Sequence, residues 1–412
     1  MKSRFPIPAS RPQRVLAAVT FASAVGRGAY LTAGILYFTQ AMHLSARQAG
    51  IGLSIAGLAS LIASPPCGYL ADRIGARGVY LAALMCAAVS TAALVLATGF
   101  WEFLIAASAS ASAYTAATAA RGPLIARHGS QQPQHFRGYL RGVSNIGISL
   151  GAVPAGWAAE TGTHAAYTGL ILGTAATFLA AAATCALLPA AVPIAIPGRA
   201  SRPAIKDLPY LTLTGLDGLM SIQFKVLTIA LPLWLVMSTS APRWLISADM
   251  LVNTTVVGLL QARAARGIAS PAAAGQAMRR AGALFLISCA VIAFAAGTPW
   301  WLAAIMLLSA VVIHTIGELW HAAAGFELSF ALAPPDAIGQ YQGLFNAGAS
   351  IADLIGPVLL TTLCIEWGRP GWLVIGAFLA VTGLLVPPAV RAAENRTPAA
   401  LQPAASQAQA AR

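Results

Sequence analysis

The chain has 412 residues, of which 58% are hydrophobic and only 9% charged, with a formal net charge of +13. A soluble domain carries ~25% charged residues, so this composition cannot cover a water-facing surface and marks an integral membrane protein. Its long apolar runs exclude a membrane barrel, whose strands are about 10 residues of alternating polarity.

A membrane-spanning helix needs ~20 apolar residues. In chain order the first spans read 15–40, 49–69, 79–97, 102–125, 139–159 and 165–188. A second set reads 210–237, 244–261, 281–297, 300–326, 339–364 and 372–390. The basic N-terminus and the Ala22-Ser23-Ala24 triplet look like a signal peptide, but apolar character resumes after Arg27, so the first helix reads as uncleaved. The fold class is therefore all-α integral membrane, with twelve transmembrane helices in two six-helix bundles, 1–188 and 209–390. The linker 189–208 contains four prolines and the basic residues Arg199, Arg202 and Lys206. The tail 391–412, rich in Ala, Gln, Pro and Ser, reads as disordered.

With the N-terminus in the cytoplasm, 19 of the 25 basic residues fall on the cytoplasmic side and only Arg47, Arg243 and Arg369 on the other. Arg27, Arg121 and Lys225 remain inside spans. This bias predicts that both termini are cytoplasmic, and it explains the net charge without nucleic acid. The five cysteines (Cys67, Cys86, Cys185, Cys289, Cys364) lie in or beside apolar runs, with no disulfide framework and no metal-ligand spacing.

Between the second and third spans the chain reads Gly68-Tyr69-Leu70-Ala71-Asp72-Arg73-Ile74-Gly75-Ala76-Arg77-Gly78. This stretch resembles the G-x-L-a-D-R-x-G-r-R signature of the major facilitator superfamily, with Gly68, Leu70, Asp72, Arg73, Gly75 and Arg77 in register. The resemblance implies a cytoplasmic latch of Gly68, Asp72, Arg73, Gly75 and Arg77. Its carboxylate, Asp72, would sit against the start of the eleventh helix near residues 335–339, where the helix dipole favours an anion. It also implies that helices three, six, nine and twelve face lipid. Those four spans contain no Asp, Glu, Lys, Arg or His. Charge facing hydrocarbon costs at least ~2.5 kcal/mol, so the segregation fits.

Several intramembrane groups are candidates for chemistry. Arg27 lies at mid-depth of the first span, with Tyr30 and Tyr37 on a similar face. A permanently charged guanidinium there needs water, a carboxylate or an anionic substrate, and a fixed helix-to-helix salt bridge would also satisfy it. Asp217 and Lys225 share helix seven, and Asn346, Ser350 and Asp353 form one stripe on helix eleven. His314, Glu318 and His321 form another on helix ten, without the H-E-x-x-H zinc pattern, so no metal is expected. Glu318, Asp353, Arg27, Asp217 and Lys225 are the proton-coupling candidates. Arg27, Tyr30, Asn145, His314, Trp320 and Asn346 are the substrate-cavity candidates, with Tyr37 and Trp234 as further aromatics.

Helix five carries Gly147, Gly151, Pro154 and Gly156, similar to the antiporter motif of drug exporters but with the proline displaced. Such spacing also serves ordinary close helix packing. Helix four lacks the deep arginine of family exporters, having only Arg121 near its end, so Arg27 or Arg141 could fill that role. The loop 261–267, with Arg263 and Arg266, resembles a worn second copy of the signature, and the P-E-S-P-R hallmark of sugar carriers is absent.

The expectation is a multi-pass transporter of the bacterial cytoplasmic membrane, resembling bacterial drug/proton antiporters. It would export small amphipathic compounds by alternating access, as a monomer driven by the proton gradient without a cofactor. The alternative is a proton-coupled uptake symporter for a small organic solute. A membrane-embedded enzyme is the remote one, because no catalytic cluster stands out beyond the helix-ten stripe.

Overall fold

The computed structural model describes residues 10–128, 133–189, 206–265, 267–333 and 350–395, with a few positions between 341 and 348. The linker 190–205, the tail from 396 and residues 335–339 lie outside the described residues, as does Asn346. The first half contains α1 (Arg11–Leu36, continued by a π-helical turn Tyr37–Ala41), α2 (Ala46–Ile74) and α3 (Ala76–Ala93). It continues with α4 (Phe100–His128), α5 (Pro133–Thr161) and α6 (His164–Cys185). In the second half α7 is broken into Leu208–Met220, Gln223–Lys225, a π-helical turn Val226–Ala230 and Leu231–Ser238. Then follow α8 (Leu245–Ala265), α9 (Pro271–Ala295), α10 (Trp300–Ala331), α11 (Ile351–Leu360, with a π-helical turn Thr361–Glu366) and α12 (Arg369–Glu394).

Among the described residues, nine helical segments are long and apolar enough to cross a membrane, and Leu245–Gln261 is a shorter apolar helix. Five of the helices begin at a side-chain cap. Ser10 and Ser45 form capping boxes with Gln13 and Gln48, and Thr163, Asp207 and Ser270 cap α6, α7 and α9. A single residue, Gly75, joins α2 to α3 with φ 106°, a backbone angle that side-chain-bearing residues rarely adopt. That is the physical content of the second glycine of the signature.

The apolar core is divided by depth. On the face that carries the α2–α3 joint, called here the signature face, each half has its own cluster. One joins Leu16, Tyr80, Leu124, Leu140 and Cys185 of α1, α3, α4, α5 and α6. The other joins Leu213, Met278, Leu328 and Val386 of α7, α9, α10 and α12. On the opposite face one continuous cluster takes residues from both halves, among them Tyr37, Phe103, Tyr167, Trp234, Leu307 and Trp372. Among the described residues, the cores of the halves are thus fused at one face and separate at the other. Inter-half hydrogen bonds among the described residues include, on the fused side, Ser247 Oγ donating to Ala152 O (2.5 Å) and Trp244 N to Glu160 Oε2 (2.9 Å).

The α2–α11 contact is a second part of that seal. Pro357 has no N–H, so the carbonyl of Asp353 loses its helical donor. Gly57 of α2 approaches this carbonyl so closely that an added Cβ would fall 2.2 Å from it. One turn along, Ser54 Oγ accepts the N–H of Val358 (3.2 Å), and Gly50 packs on Thr361 and the Pro357 carbonyl. A small-residue row on one half therefore fits a proline-opened helix on the other.

Candidate functional site

Between the halves, where their separate cores begin, lies a cavity of about 130 Å³. The first half contributes Arg27 and Tyr30 from α1, Gly57 and Ser60 from α2, and Tyr114 and Thr115 from α4. The second half contributes Lys225 and Thr228 from α7, with Asp353 and Pro357 from α11. Arg27, Tyr30, Lys225 and Asp353 thus share one wall-to-wall site. Sequence reading missed Ser60, Tyr114 and Thr115, whose side chains look like any helix residue until the fold brings them to the cavity.

Each charge has a defined setting. The Arg27 guanidinium lies over the Tyr114 ring, 4.5 Å from its centroid, a cation–π contact. Among the described residues it has no carboxylate within ion-pair distance. Lys225 Nζ forms an ion pair with Asp353 Oδ1; the lysine side chain is 18% exposed and the aspartate 47%. The break in α7 puts Lys225 at the start of the π-helical turn, and Gly356 of α11 leaves room for its stem. The site therefore presents two cations, one carboxylate, two phenols and hydroxyls around a wet space.

Other predicted residues form a second polar system behind the cavity wall, between α7, α8 and α10. His314 Nε2 donates to Gln223 Oε1 (2.9 Å) and is also near Gln223 O (3.1 Å). With its carbonyl engaged, the Gln223 amide nitrogen faces His321 Nδ1 (3.4 Å), and His321 Nε2 faces Asp217 Oδ1 (3.2 Å). One tautomer pattern, both imidazole protons on Nε2, satisfies this chain. Glu318 turns to α8 instead, where Asn253 Nδ2 donates to its Oε2 (2.8 Å) and to Thr315 Oγ1 (3.0 Å). Asp217 and His314 are buried in this system and do not line the cavity.

The remaining expectations are placed as follows. Trp320 packs on the signature-face core of the second half, and Asn145 is half-buried on α5; neither lines the cavity. Tyr37 and Trp234 are buried, with Tyr37 Oη donating to Leu94 O (3.0 Å) and Trp234 Nε1 to Ile292 O (3.0 Å). Gly147 and Gly151 press α5 onto α1, where added Cβ atoms would meet Ala24 Cβ at 2.7 Å and Val25 O at 1.9 Å. Gly156 packs on Ser247 of α8 across the halves, while Pro154 is exposed beside Trp157. Beyond their helical backbone, Gly68 and Asp72 lie outside the described residues, so the latch is described only at Gly75, Arg73 and Arg77. Arg73 is exposed, and Arg77 Nη2 donates to Ala186 O (2.6 Å), tying the start of α3 to the carbonyl end of α6. Among the described residues no group of three or more metal-ligating side chains occurs.

Comparison with known proteins gives the same architecture. The nucleoside transporter NupG, in a mutant form, superposes with a TM-score of 0.74 at 14% identity, covering 93% of this chain and 100% of that one. A POT family transporter in complex with 5-aminolevulinic acid superposes at 0.76 with 13% identity, covering 93% and 96%. In sequence, the lysosomal dipeptide transporter MFSD1 of Gallus gallus is 26% identical over 138 residues. That match takes in 32% of this chain and 30% of the relative's length. The family profile of the Major Facilitator Superfamily matches residues 16–264, more than half of the chain. Two helical halves around a charged cavity are thus the frame of a multi-pass membrane transporter, not an enzyme, and the chain belongs to the Major Facilitator Superfamily.

Proposed function

We propose that this protein is a proton-coupled secondary transporter of a small organic solute bearing a carboxylate or comparable anion. The observation that carries this reading is the cavity's charge: Arg27 and Lys225 against the single carboxylate of Asp353. The solute's anionic group is drawn to Arg27 and competes with Asp353 for Lys225. A proton on Asp353 removes that competition, because the neutral acid releases Lys225 to the solute. Solute and proton therefore bind together, which is the logic of symport. The nucleoside, peptide and 5-aminolevulinic acid named for the similar transporters support a polar cargo. A zwitterion of amino-acid or dipeptide size fits both signs of the cavity.

In this reading all twelve helices cross the bilayer and both termini are cytoplasmic, so the signature face is the inner one and the cavity is open inward. The halves rock about the cavity to give alternating access. Each monomer is a complete unit in a bacterial cytoplasmic membrane, with the proton gradient as driving force and no resident cofactor. Export of amphipathic compounds is the second reading, favoured by the α5 glycines that pack on α1 as the exporter resemblance implies. In that case cargo and proton would compete for Asp353, giving exchange.

Proteoliposomes loaded at one pH and diluted into another separate the two. Accumulation of labelled amino acids or dipeptides with an inward proton gradient, lost in Asp353→Asn, is the expected result. Accumulation of amphipathic cations against an outward-acid gradient would replace the first reading by the second. Proton-independent movement of both classes would remove proton coupling altogether.

A further inference from the structure

A recess between α4 and α5 is lined, among the described residues, by two arginines and no carboxylate. It measures about 340 Å³, against about 130 Å³ for the cavity, and is formed by Thr118, Arg121 and Gly122 of α4 with Arg141 and Ser144 of α5. Tyr114, Thr118, Arg121 and Ile125 recur at helical spacing, so the recess continues the face that α4 turns to the cavity. Arg121 lies seven residues beyond Tyr114, about 10 Å nearer the signature face. Ile125 and Leu140 of its wall belong to the signature-face core of the first half. Across the gap, the charge of Arg141 reaches Glu318 of α10. The recess therefore opens toward the space between the halves.

That placement separates these arginines from topology anchors. An arginine that only orients a helix extends along lipid to the headgroups. Here two guanidiniums share one walled space, where their repulsion is less screened than in bulk water, and neither can deprotonate. Among the described residues Arg121 has no carboxylate within ion-pair distance. Arg141 is also in contact with other groups, but the five donors of a guanidinium serve more than one acceptor. Thr118 already donates to Tyr114 O (3.0 Å), which leaves Ser144 as the hydroxyl that can donate into the recess. Two planar forks and a hydroxyl exceed what the two oxygens of a carboxylate can accept. A phosphate group, with three strong acceptor oxygens and about two charges at neutral pH, matches them.

We propose that Arg121, Arg141 and Ser144 form a phosphate-binding site, separate from the cavity of Arg27, Lys225 and Asp353 and reached from the signature face. A free phosphate and a lipid headgroup offer the same oxygens. The opening toward the space between the halves favours the free, water-borne anion. The inference goes beyond the transport reading, and it is tested without any transported compound.

Inorganic phosphate is the probe, titrated at fixed ionic strength into the full chain in phosphatidylcholine nanodiscs. The melting temperature is expected to rise saturably with phosphate and not with chloride. Arg121→Gln should raise the half-saturating concentration about tenfold, the loss expected of one charge-assisted contact, while Arg27→Gln should leave it unchanged. If Arg121→Gln fails to fold, Thr118→Cys, in a background lacking the accessible Cys67 and Cys86, gives a second reading: phosphate should slow its reaction with a maleimide. Nanodiscs containing phosphatidylglycerol distinguish the sources. An unchanged phosphate response there supports the water-borne anion, and a response abolished in the wild type supports a lipid headgroup on the same arginines. No stabilisation or protection by phosphate beyond that of chloride overturns the proposal. So does a response lost in Arg27→Gln and kept in Arg121→Gln, which would put the phosphate in the cavity. Failure of every tested solute to move in vesicles would instead sink the transport reading and leave this binding standing.

Discussion

Lys225 and Asp353 share one ion pair but not one environment, since the lysine is 18% exposed and the aspartate 47%. Removing the lysine leaves a carboxylate that water in the cavity can solvate. Removing the carboxylate strands the more buried cation, which the membrane interior penalises more. Lys225→Met should therefore cost about 1 kcal/mol of stability and Asp353→Asn about 2–3 kcal/mol, with the double variant closer to Lys225→Met than to Asp353→Asn. Thermal unfolding in detergent checks the order; equal losses would mean that the pair is solvated as a unit. These charges were legible in the sequence because an ionised group inside a span demands a reason. Tyr114 and Ser60 were not, because a phenol or a hydroxyl is tolerated anywhere on a helix and only the fold shows which face meets the cavity.

Helices, more than single residues, decide how the halves meet. On α5, Gly151 packs within its own half against α1, whereas Gly156 packs across the halves against Ser247. Ala at 151 should lower the melting temperature by overpacking a fixed contact, at about 1–3 kcal/mol. Ala at 156 should leave stability nearly unchanged while shifting the balance away from this conformation, as read by spin-label distances between the α5–α6 and α7–α8 turns. If both variants simply melt earlier, the α5–α8 seam is as rigid as the α1–α5 contact. The same scale explains a partial reading of α10. His314 and His321 are about 20° apart around the helix and meet α7, while Glu318 is about 40° from His314 and meets α8. Spacing identified the polar stripe, but a stripe of that width touches two neighbours, and spacing alone does not say which. The break in α7 after Met220 is flanked by Gly218 and Ser221, a pairing that also occurs within unbroken helices and so did not announce it.

At the scale of the whole molecule, one core shared by both halves and two cores kept apart describe a molecule hinged at one face. The sequence carries the two-bundle plan in its hydrophobic runs and charge segregation. It does not carry the state, because in the alternating-access reading proposed above both ends of the cycle use the same helices and differ in which face is fused. The distribution of small residues decides what that face can do. Gly50, Ser54 and Gly57 let α2 lie against the opened backbone of α11, a contact with little side chain to disentangle when the halves part. Leucine at 57 would collide with the Asp353 carbonyl and should part the halves on this face. Single cysteines then give the test. With the native seal, a cysteine at Thr118, which lines a recess near the signature face, reacts with a membrane-impermeant maleimide applied from that side, while one at Ser54 is protected from both sides. In the Gly57→Leu background the pattern should reverse, with Ser54→Cys labelled from the opposite face and Thr118→Cys protected. Labelling of both positions in the same molecule at the same time would mean that the halves do not alternate but separate.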